Sequence, residues 1–327
     1  MFYEYAVDPE CYADAEQIKR LTGEFSWCDG RLISNFPGTW LRRVREAQDA
    51  AFKQLTMRQR SILTEEWKWL RDHKEKFLIN SGRNFDGNNP NWISNALNQH
   101  QSNPFQAIIV HEKTLQNDDL LLPSDLNARE SRWKIRHDDR VPRTPEALCN
   151  CVSKLLQKSS HIRFVDPYFN PNKKEWLSTL STFINRIHAS EVTIEYHLKI
   201  HHKEIKNNTD EIKNGNFVLE AQKWYQKFSE NCKICIEPLL SLNQRISLIL
   251  WSEIEPSNDW FHDRYILTEK GGVRFEGLDE GENPGQRTNV FRLSEELWKD
   301  RWNSLDKEKS KEYKLLGTID VPNLTSP

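Results

Sequence analysis

The segment Trp260–Gly272 contains the residue types that phosphate chemistry needs. His262 and Arg264 are two positions apart, so both side chains point to the same face if the segment is a strand. An imidazole can attack phosphorus or transfer a proton, and a planar guanidinium can bind two phosphate oxygens at once. Glu269 follows five residues after the arginine and adds a carboxylate to the block. This pattern predicts a phosphate-binding or phosphoryl-transfer site.

The same spacing of a histidine, a base and an acid occurs three times in the chain. Composition alone predicts 10 × (46/327) × (48/327), or about 0.2, such matches. The other two are His111–Asp118 and His197–Glu204. His262 comes late, after several predicted strand–helix units, whereas the first match follows a single predicted strand with only helices before it. We therefore predict that the site is built around His262.

The block resembles the active-site motif of the phospholipase D superfamily, H-x-K-x4-D followed by a G-S-x-N turn. The resemblance covers about residues 162–302 and departs from that motif three times, with Arg264 for lysine, Glu269 for aspartate and Gly277–Asp279 for the serine-containing turn. The block is still more similar to a degenerate branch, the C-terminal domain of MIT-domain-containing proteins, which carries H-D-R and G-L-D. That branch is described as a dimeric phosphoinositide-membrane-binding module without demonstrated catalysis. Bacterial proteins with a similar H-D-R and G-L-D also occur.

The resemblance to the superfamily implies a role for each residue of the motif. His262 would attack phosphorus, Arg264 would hold the phosphate oxygens, and Glu269 would support the histidine. The superfamily's reaction uses two histidines and neither a metal nor another cofactor. With one convincing motif in this chain, the resemblance implies a homodimer through the C-terminal domain that pairs His262 with its copy. The alternative is structural: an Asp263–Arg264 surface pair with His262 capping a strand.

Further polar residues end the first two strands of the same predicted sheet. Asp166 and Tyr168 follow the first strand, and Glu195 and His197 end the second. The carboxyl ends of strands line the crevice of an α/β sheet, so we predict that these four residues contact substrate, together with Asp279. Two alternatives stay open: Asp166 only terminates a strand, and Tyr168 and Phe169 are core residues. A carboxylate such as Asp279 beside phosphate is repulsive unless it is protonated or paired.

Residues 1–140 are predicted as a separate, mostly helical N-terminal region. Helical periodicity follows Pro37 and recurs around Trp67, and Phe105–Val110 is the main strand signal. Basic residues on the second helix interleave with acidic ones, which is typical of a solvated helix surface. We expect this region to position a substrate or a partner.

Residues 141–305 are predicted as a phospholipase D-like α/β domain. Thr144 and Pro145 give a strong helix start, and strands then alternate with helices, which indicates a mixed sheet covered by helices. Residues 233–237 are interpreted as one of its strands. The segment 138–143 is predicted as the linker before this domain, and 306–327 as a C-terminal tail.

The composition excludes several classes of protein. The 327 residues carry a formal net charge of −2, which favours neither a nucleic-acid binder nor a membrane-surface protein for the chain as a whole. No apolar run reaches the ~20 residues of a membrane span, and the first residues lack a signal-peptide pattern. Six cysteines do not make a disulfide framework, and Cys232 and Cys235 lack a second pair for zinc. We expect a cytoplasmic protein without a metal site.

The first functional hypothesis is a metal-independent phosphodiesterase, a nuclease that acts on nucleic acid through a phosphohistidine. The expected setting is a bacterial defence or mobile-element system. Whether an ATPase or a helicase acts as a partner is not determined by the sequence. The second hypothesis is a catalytically inactive phospholipase D-like module. It would use the same cleft to bind a partner protein or anionic lipid and phosphate groups.

Overall fold

The computed structural model describes residues 1–113, 117–188, 191–200, 217–241, 244–253 and 261–322. The chain divides into two compact units, Met1–Arg136 and His137–Pro327, each with its own sheet. The α/β fold class is therefore confirmed. Within the ranges above, no helix is both long enough and apolar enough to cross a bilayer.

The first unit is organised by a five-stranded parallel sheet with strand order β3-β2-β1-β4-β5. Its strands are β1 Tyr3–Val7, β2 Arg31–Ser34, β3 Leu78–Ile79, β4 Ile108–Ile109 and β5 Leu120–Leu121. Its helices are α1 Ala15–Leu21, α2 Trp40–Ala51, α3 Met57–Asp72 and α4 Trp92–Ser102. The two predicted helices correspond to α2 and α3. The prediction of a mostly helical region omits the sheet, because strands of two to five residues are too short to show alternation.

The second unit contains an eight-stranded mixed sheet with strand order β13-β9-β8-β7-β10-β11-β12-β6. Its strands are β6 Asp138–Pro142, β7 His161–Val165, β8 Thr193–Lys199, β9 Arg245–Glu253, β10 Arg264–Thr268, β11 Gly271–Phe275, β12 Arg287–Arg292 and β13 Tyr313–Pro322. Its helices are α5 Pro145–Lys158, α6 Lys174–Ile184, α7 Phe217–Ile236 and α8 Glu295–Ser304. β7, β8 and β9 run parallel, and the other pairings are antiparallel. The predicted mixed sheet is confirmed.

Helix α5 begins where the sequence predicts it. The Thr144 side chain accepts a hydrogen bond from the Ala147 backbone N–H at 3.4 Å, and Pro145 occupies the first turn. Leu148, Val152 and other apolar residues spaced three or four positions apart are fully buried. The helix is therefore capped and amphipathic, and its apolar face packs into the core of the second unit.

Two segments that were predicted to lie outside the domain are edge strands of its sheet. The predicted linker is strand β6, which pairs with β12, so the boundary between the units falls at residue 136 rather than 140. The predicted tail contains β13, which pairs with β9 and buries Tyr313, Ile319 and Val321. Both strands end in proline, which suggested irregular structure but is tolerated on an edge strand. Residues 323–327 of the predicted tail lie outside the described residues.

The strand predicted at residues 233–237 is wrong, because α7 continues through Ile236. Cys232 and Ile236 are fully buried and one helical turn apart, whereas Ile234 is 72% exposed. Burial raises the pKa of the Cys232 thiol to about 12. Across the part of the chain that the structure describes, no three His, Cys, Asp or Glu side chains are grouped as metal ligands.

Candidate functional site

The antiparallel pairing of β10 with β7 brings His262 to the carboxyl end of β7. Tyr265 is opposite Val165 in this register, so the residues just before β10 lie beside those just after β7. Strand β8 is parallel to β7 and ends at the same edge of the sheet. Distant parts of the sequence therefore meet at one edge.

Tyr168 contacts both residues of the predicted histidine–arginine pair. Its hydroxyl oxygen lies 2.6 Å from His262 Nδ1, and the two rings are nearly parallel with centroids 6.2 Å apart. The guanidinium carbon of Arg264 lies 4.5 Å from the Tyr168 ring centroid, a cation–π contact. His262 and Tyr168 are exposed, and the Arg264 side chain is 26% exposed. The two predicted site residues and Tyr168 thus form one solvent-accessible group.

The hydrogen bond with Tyr168 defines the orientation of the His262 ring. A tyrosine hydroxyl can donate or accept, so the contact fits either neutral tautomer of the imidazole. When Nδ1 carries the proton and donates it to Tyr168, Nε2 has a lone pair and can act as a nucleophile or a base. Tyr168 is therefore placed to orient the imidazole, the role that the resemblance implies for Glu269.

Asp166 is a fully buried carboxyl group behind this pair. It accepts hydrogen bonds of 2.9 Å from the Tyr168 backbone N–H and from the Trp176 indole, and its Oδ1 lies 3.7 Å from Arg264 Nε. Burial raises the pKa of Asp166 to about 6, while these hydrogen bonds and Arg264 oppose the shift and Asp279 adds to it. Above that pH, Asp166 partly neutralises the guanidinium that would bind phosphate.

We expect phosphodiester binding at this site to strengthen as the pH falls through about 6. Protonation removes the negative charge of Asp166 beside Arg264, whereas a phosphodiester stays an anion. The affinity of a fluorescent oligonucleotide would be measured from about pH 7.5 to about pH 5 in a His262→Ala background, so that the imidazole contributes nothing to the profile. Adding Asp166→Asn should flatten the profile, and an unchanged profile would contradict the assignment.

Asp279 lies near the site, but its carboxylate is held by an arginine that the sequence does not single out. Arg143 forms an ion pair with this carboxylate and donates a hydrogen bond of 3.0 Å from Nε to the Asp279 carbonyl oxygen. A Cβ at Gly277 would lie 2.6 Å from Arg143 Nη2, so only glycine leaves room for the guanidinium. The Gly277–Asp279 turn therefore binds Arg143, and the predicted contact of Asp279 with substrate would be indirect.

Glu269 is not part of the His262 group, which corrects its predicted catalytic role. Its carboxylate accepts hydrogen bonds from the backbone N–H groups of Ser160 and His161 at 3.0 and 3.1 Å. These groups begin β7, at the opposite end of β10 from Arg264. A strand advances about 3.3 Å per residue, so five residues separate Glu269 from Arg264 by roughly 16 Å. The carboxylate anchors the start of β7.

Glu195 and His197 are also separated from the site, because they lie on the opposite face of the sheet from Arg264. Side chains alternate along a strand, and Arg264 shares its face with Asp166 and Tyr196 rather than with their neighbours. Glu195 and His197 are buried, and the structure does not bring either residue to the His262 group. Their position follows from the pairing register, which the sequence does not show.

A buried ion cluster surrounds Glu195. Its carboxylate lies 2.9 Å from Arg163 Nε, 2.9 Å from His161 Nε2 and 2.8 Å from Lys307 Nζ. Although burial opposes ionisation, hydrogen bonds with His161, His197 and Lys307 hold the pKa of Glu195 well below its usual range. Burial lowers the pKa of His197 to about 4, and this histidine accepts a hydrogen bond from the Trp251 indole. The cluster ties three segments of the unit together.

The remaining interpretations of the motif are also resolved by geometry. Asp263 pairs with Arg274 at 3.4 Å and accepts a hydrogen bond from Tyr265, so an Asp263–Arg264 surface pair is wrong. His111 follows β4 of the five-stranded parallel sheet, so the prediction of a single strand with only helices before it is wrong as well. The acid of the third match, Glu204, lies outside the described residues.

A pocket of about 420 Å³ opens beside Tyr168, between the ends of β7 and β8 and one face of α7. Its walls are mainly aromatic, amide and proline side chains, namely Pro167, Tyr168, Phe169, Asn170, Pro171, Asn172, Leu198, Lys199, Ile200, Trp224 and Phe228. Because Tyr168 both lines this pocket and contacts His262, the two features share one wall. Tyr168 is a predicted site residue, whereas Trp224 and Phe228 of α7 are not.

Fold and site together define an α/β protein with a histidine–arginine pair at the strand ends of a mixed sheet. Neither a family model nor a curated protein matches this chain. One similar solved structure is that of TrmBL2, described as an archaeal chromatin protein with a novel mode of DNA binding, at 12% identity and a TM-score of 0.23. The match covers 54% of this chain and 55% of that chain, about half its length. At this TM-score the similarity supports neither a shared fold nor a shared ligand.

Proposed function

We propose that the second unit binds the phosphodiester backbone of nucleic acid at His262 and cleaves it by phospholipase D-like chemistry without a metal. The observation that carries the proposal is the contact of His262 and Arg264 with the same tyrosine. This arrangement sets an oriented imidazole beside a cation that suits phosphate oxygens. The resemblance of the block to the superfamily motif supports the same function.

The proposed reaction has two steps. In the first, His262 Nε2 attacks phosphorus, a nitrogen–phosphorus bond forms, and the bond from phosphorus to one ester oxygen breaks. The leaving oxygen takes a proton from a second imidazole and departs as an alcohol. In the second step that imidazole accepts a proton from water, whose oxygen attacks phosphorus and releases His262 and a phosphomonoester. Arg264 donates hydrogen bonds to the non-bridging oxygens throughout.

The second imidazole is proposed to come from a second copy of the chain. His161 and His197, on the strands nearest the site, both contact Glu195 on the other face of the sheet. They do not offer an imidazole to the phosphorus at His262. A homodimer formed through this unit would pair two His262 rings across one phosphate.

Cleavage by the full chain should persist in EDTA. The assay would use labelled single- and double-stranded DNA and RNA, with quenching in alkali because phosphohistidine is labile in acid. The expected results are EDTA-resistant cleavage and phosphate trapped on the protein. Cleavage that stops in EDTA and returns with a divalent cation would contradict the proposed chemistry.

Mixing subunits tests the dimer in the same assay. After exchange, an equal mixture of native and His262→Ala chains should keep about a quarter of the activity of the native chain at the same total concentration, because about one dimer in four has both histidines. Activity of about half would indicate independent subunits. His188→Ala is the matched control, since His188 is an exposed histidine of the same unit.

A second candidate function is binding of phosphate groups on a partner protein or an anionic lipid headgroup, without turnover. The ion pair of Arg264 with Asp166 and the distant position of Glu269 favour it, because the arginine is partly neutralised and the Glu269 carboxylate is bound to the backbone at the start of β7. This candidate predicts binding that depends on Arg264 and no product in the EDTA assay.

A further inference from the structure

The pocket beside Tyr168 has walls suited to a planar ring. Trp224 and Phe228 lie one turn apart on α7, with ring centroids 5.0 Å apart and planes inclined by 8°. Both are partly exposed, and both line the pocket. The volume of about 420 Å³ is within the range of roughly 300–1,000 Å³ that is typical of small-molecule sites.

The loop that forms the other wall is held by hydrogen bonds. Asp166 accepts a hydrogen bond from the Tyr168 backbone N–H, and Asn170 Oδ1 accepts one of 3.0 Å from the Asn172 backbone N–H. Asn172 Oδ1 in turn accepts from Asn231 Nδ2 of α7 at 2.6 Å. These bonds connect the loop to the helix that carries the aromatic residues. The pocket is therefore formed before a ligand arrives, which lowers the entropic cost of binding.

We infer that this pocket binds one unpaired base of single-stranded nucleic acid, next to the phosphate that His262 and Arg264 bind. The inference rests on the proposed function and names its substrate class. Tyr168 supports it, since this residue lines the pocket and also contacts the histidine and the arginine. In a nucleotide a single sugar joins the base to the phosphate, so both can be held on the two sides of Tyr168.

Alternative ligands of the phosphate site fit the pocket less well. A base within a duplex is paired and stacked, and can enter only after it is flipped out at an energetic cost. A glycerophosphate headgroup lacks a planar ring to stack on Trp224 and Phe228. Stacking on aromatic side chains tolerates every base, so the pocket would favour single strands without reading a sequence.

The test is an equilibrium binding measurement with the full-length His262→Ala chain, because the proposed cleavage persists in EDTA and would consume the probes. The probes are a fluorescent oligothymidylate, an abasic oligonucleotide of the same length and charge, and a hairpin duplex. The His262→Ala chain should bind the thymidylate about ten- to a hundredfold more tightly than the abasic probe, because stacking strengthens binding of each base by that order. Trp224→Ala should remove most of this preference, and Trp224→Phe should keep most of it.

The matched control is Ile234→Ala, a change of an exposed apolar residue on the same helix outside the pocket. It should leave the affinities for all three probes unchanged. Equal affinity of the His262→Ala chain for the thymidylate and abasic probes, or equal affinity for the duplex, would overturn the inference before any change in the pocket is made. A Trp224-dependent preference with no cleavage would support the base site and refute turnover. Cleavage that depends on His262, without a preference for the thymidylate probe, would support turnover and refute the base site.

Discussion

Replacing His262 with alanine should lower the rate of oligonucleotide cleavage in EDTA by about four orders of magnitude or more, which is the scale on which removal of a nucleophile acts. The imidazole forms the bond to phosphorus in the proposed reaction, so no other residue can replace it. Binding should stay within about threefold of the native affinity, because Arg264 and the aromatic pocket remain. The measurements are single-turnover cleavage and fluorescence anisotropy on the same oligonucleotide.

Arg264→Ala should mainly lower the affinity for the oligonucleotide. We expect an affinity loss of about tenfold, near the lower end for a charge-assisted hydrogen bond, because Asp166 already pairs with the guanidinium and water reaches it. Arg264→Lys should restore part of the affinity through its charge, but it loses the planar contact with Tyr168 and the bidentate fork. Since Arg264→Ala also removes the counterion of buried Asp166, the same variant is examined with Asp166→Asn.

A His262→Ala chain that keeps half of the native cleavage rate would contradict the assignment of His262 as the nucleophile. His188→Ala should cleave like the native chain, which excludes a general effect of losing a histidine. Loss of affinity with His262→Ala and no turnover in any variant would favour the binding module instead. These results separate the two candidate functions without a known ligand.

The part of the site that the sequence predicts is the part fixed by local rules. A histidine and an arginine two positions apart share a face of a strand, and residues that follow a strand lie at its carboxyl end. These rules identify His262, Arg264, Asp166 and Tyr168, which the structure brings together. Each rule needs only the location of the strand.

The errors come from information that spacing along the chain does not contain. A carboxylate five residues from Arg264 is close in sequence, but an extended strand carries Glu269 to its far end. A shift of one residue moves a side chain to the other face of a sheet. Glu195 and His197 are on the face opposite to that of Arg264. Arg143 binds Asp279 from a distant segment, so only the three-dimensional structure identifies it.

The short and edge strands are missed for a different physical reason. Strands of two to five residues in the first unit give no measurable period, and a short apolar run is compatible with helix or strand. Edge strands are exposed along one side, so their sequences are mixed in polarity and tolerate proline. The same reason explains why β6 was interpreted as a linker and β13 as a tail.

Ending the chain after Leu305 should unfold the second unit, contrary to what a tail would allow. The deletion removes β13, which pairs with β9 along most of its length. It also removes Tyr313, Ile319 and Val321, whose burial contributes about 1.5–3 kcal/mol each to the free energy of unfolding. The sum of roughly 5–9 kcal/mol is comparable to the ~5–15 kcal/mol that stabilises a typical domain.

The deletion further takes Lys307 from the buried carboxylate of Glu195. Far-UV circular dichroism and thermal melting of two truncated chains measure the effect. A chain that ends after Pro322 keeps all of β13 and should melt like the full chain. The chain that ends after Leu305 should lose the cooperative transition of the second unit, because Trp251 and Phe261 lose their contact with Tyr313. Equal melting temperatures for the two chains would show that β13 contributes nothing to the stability of the sheet.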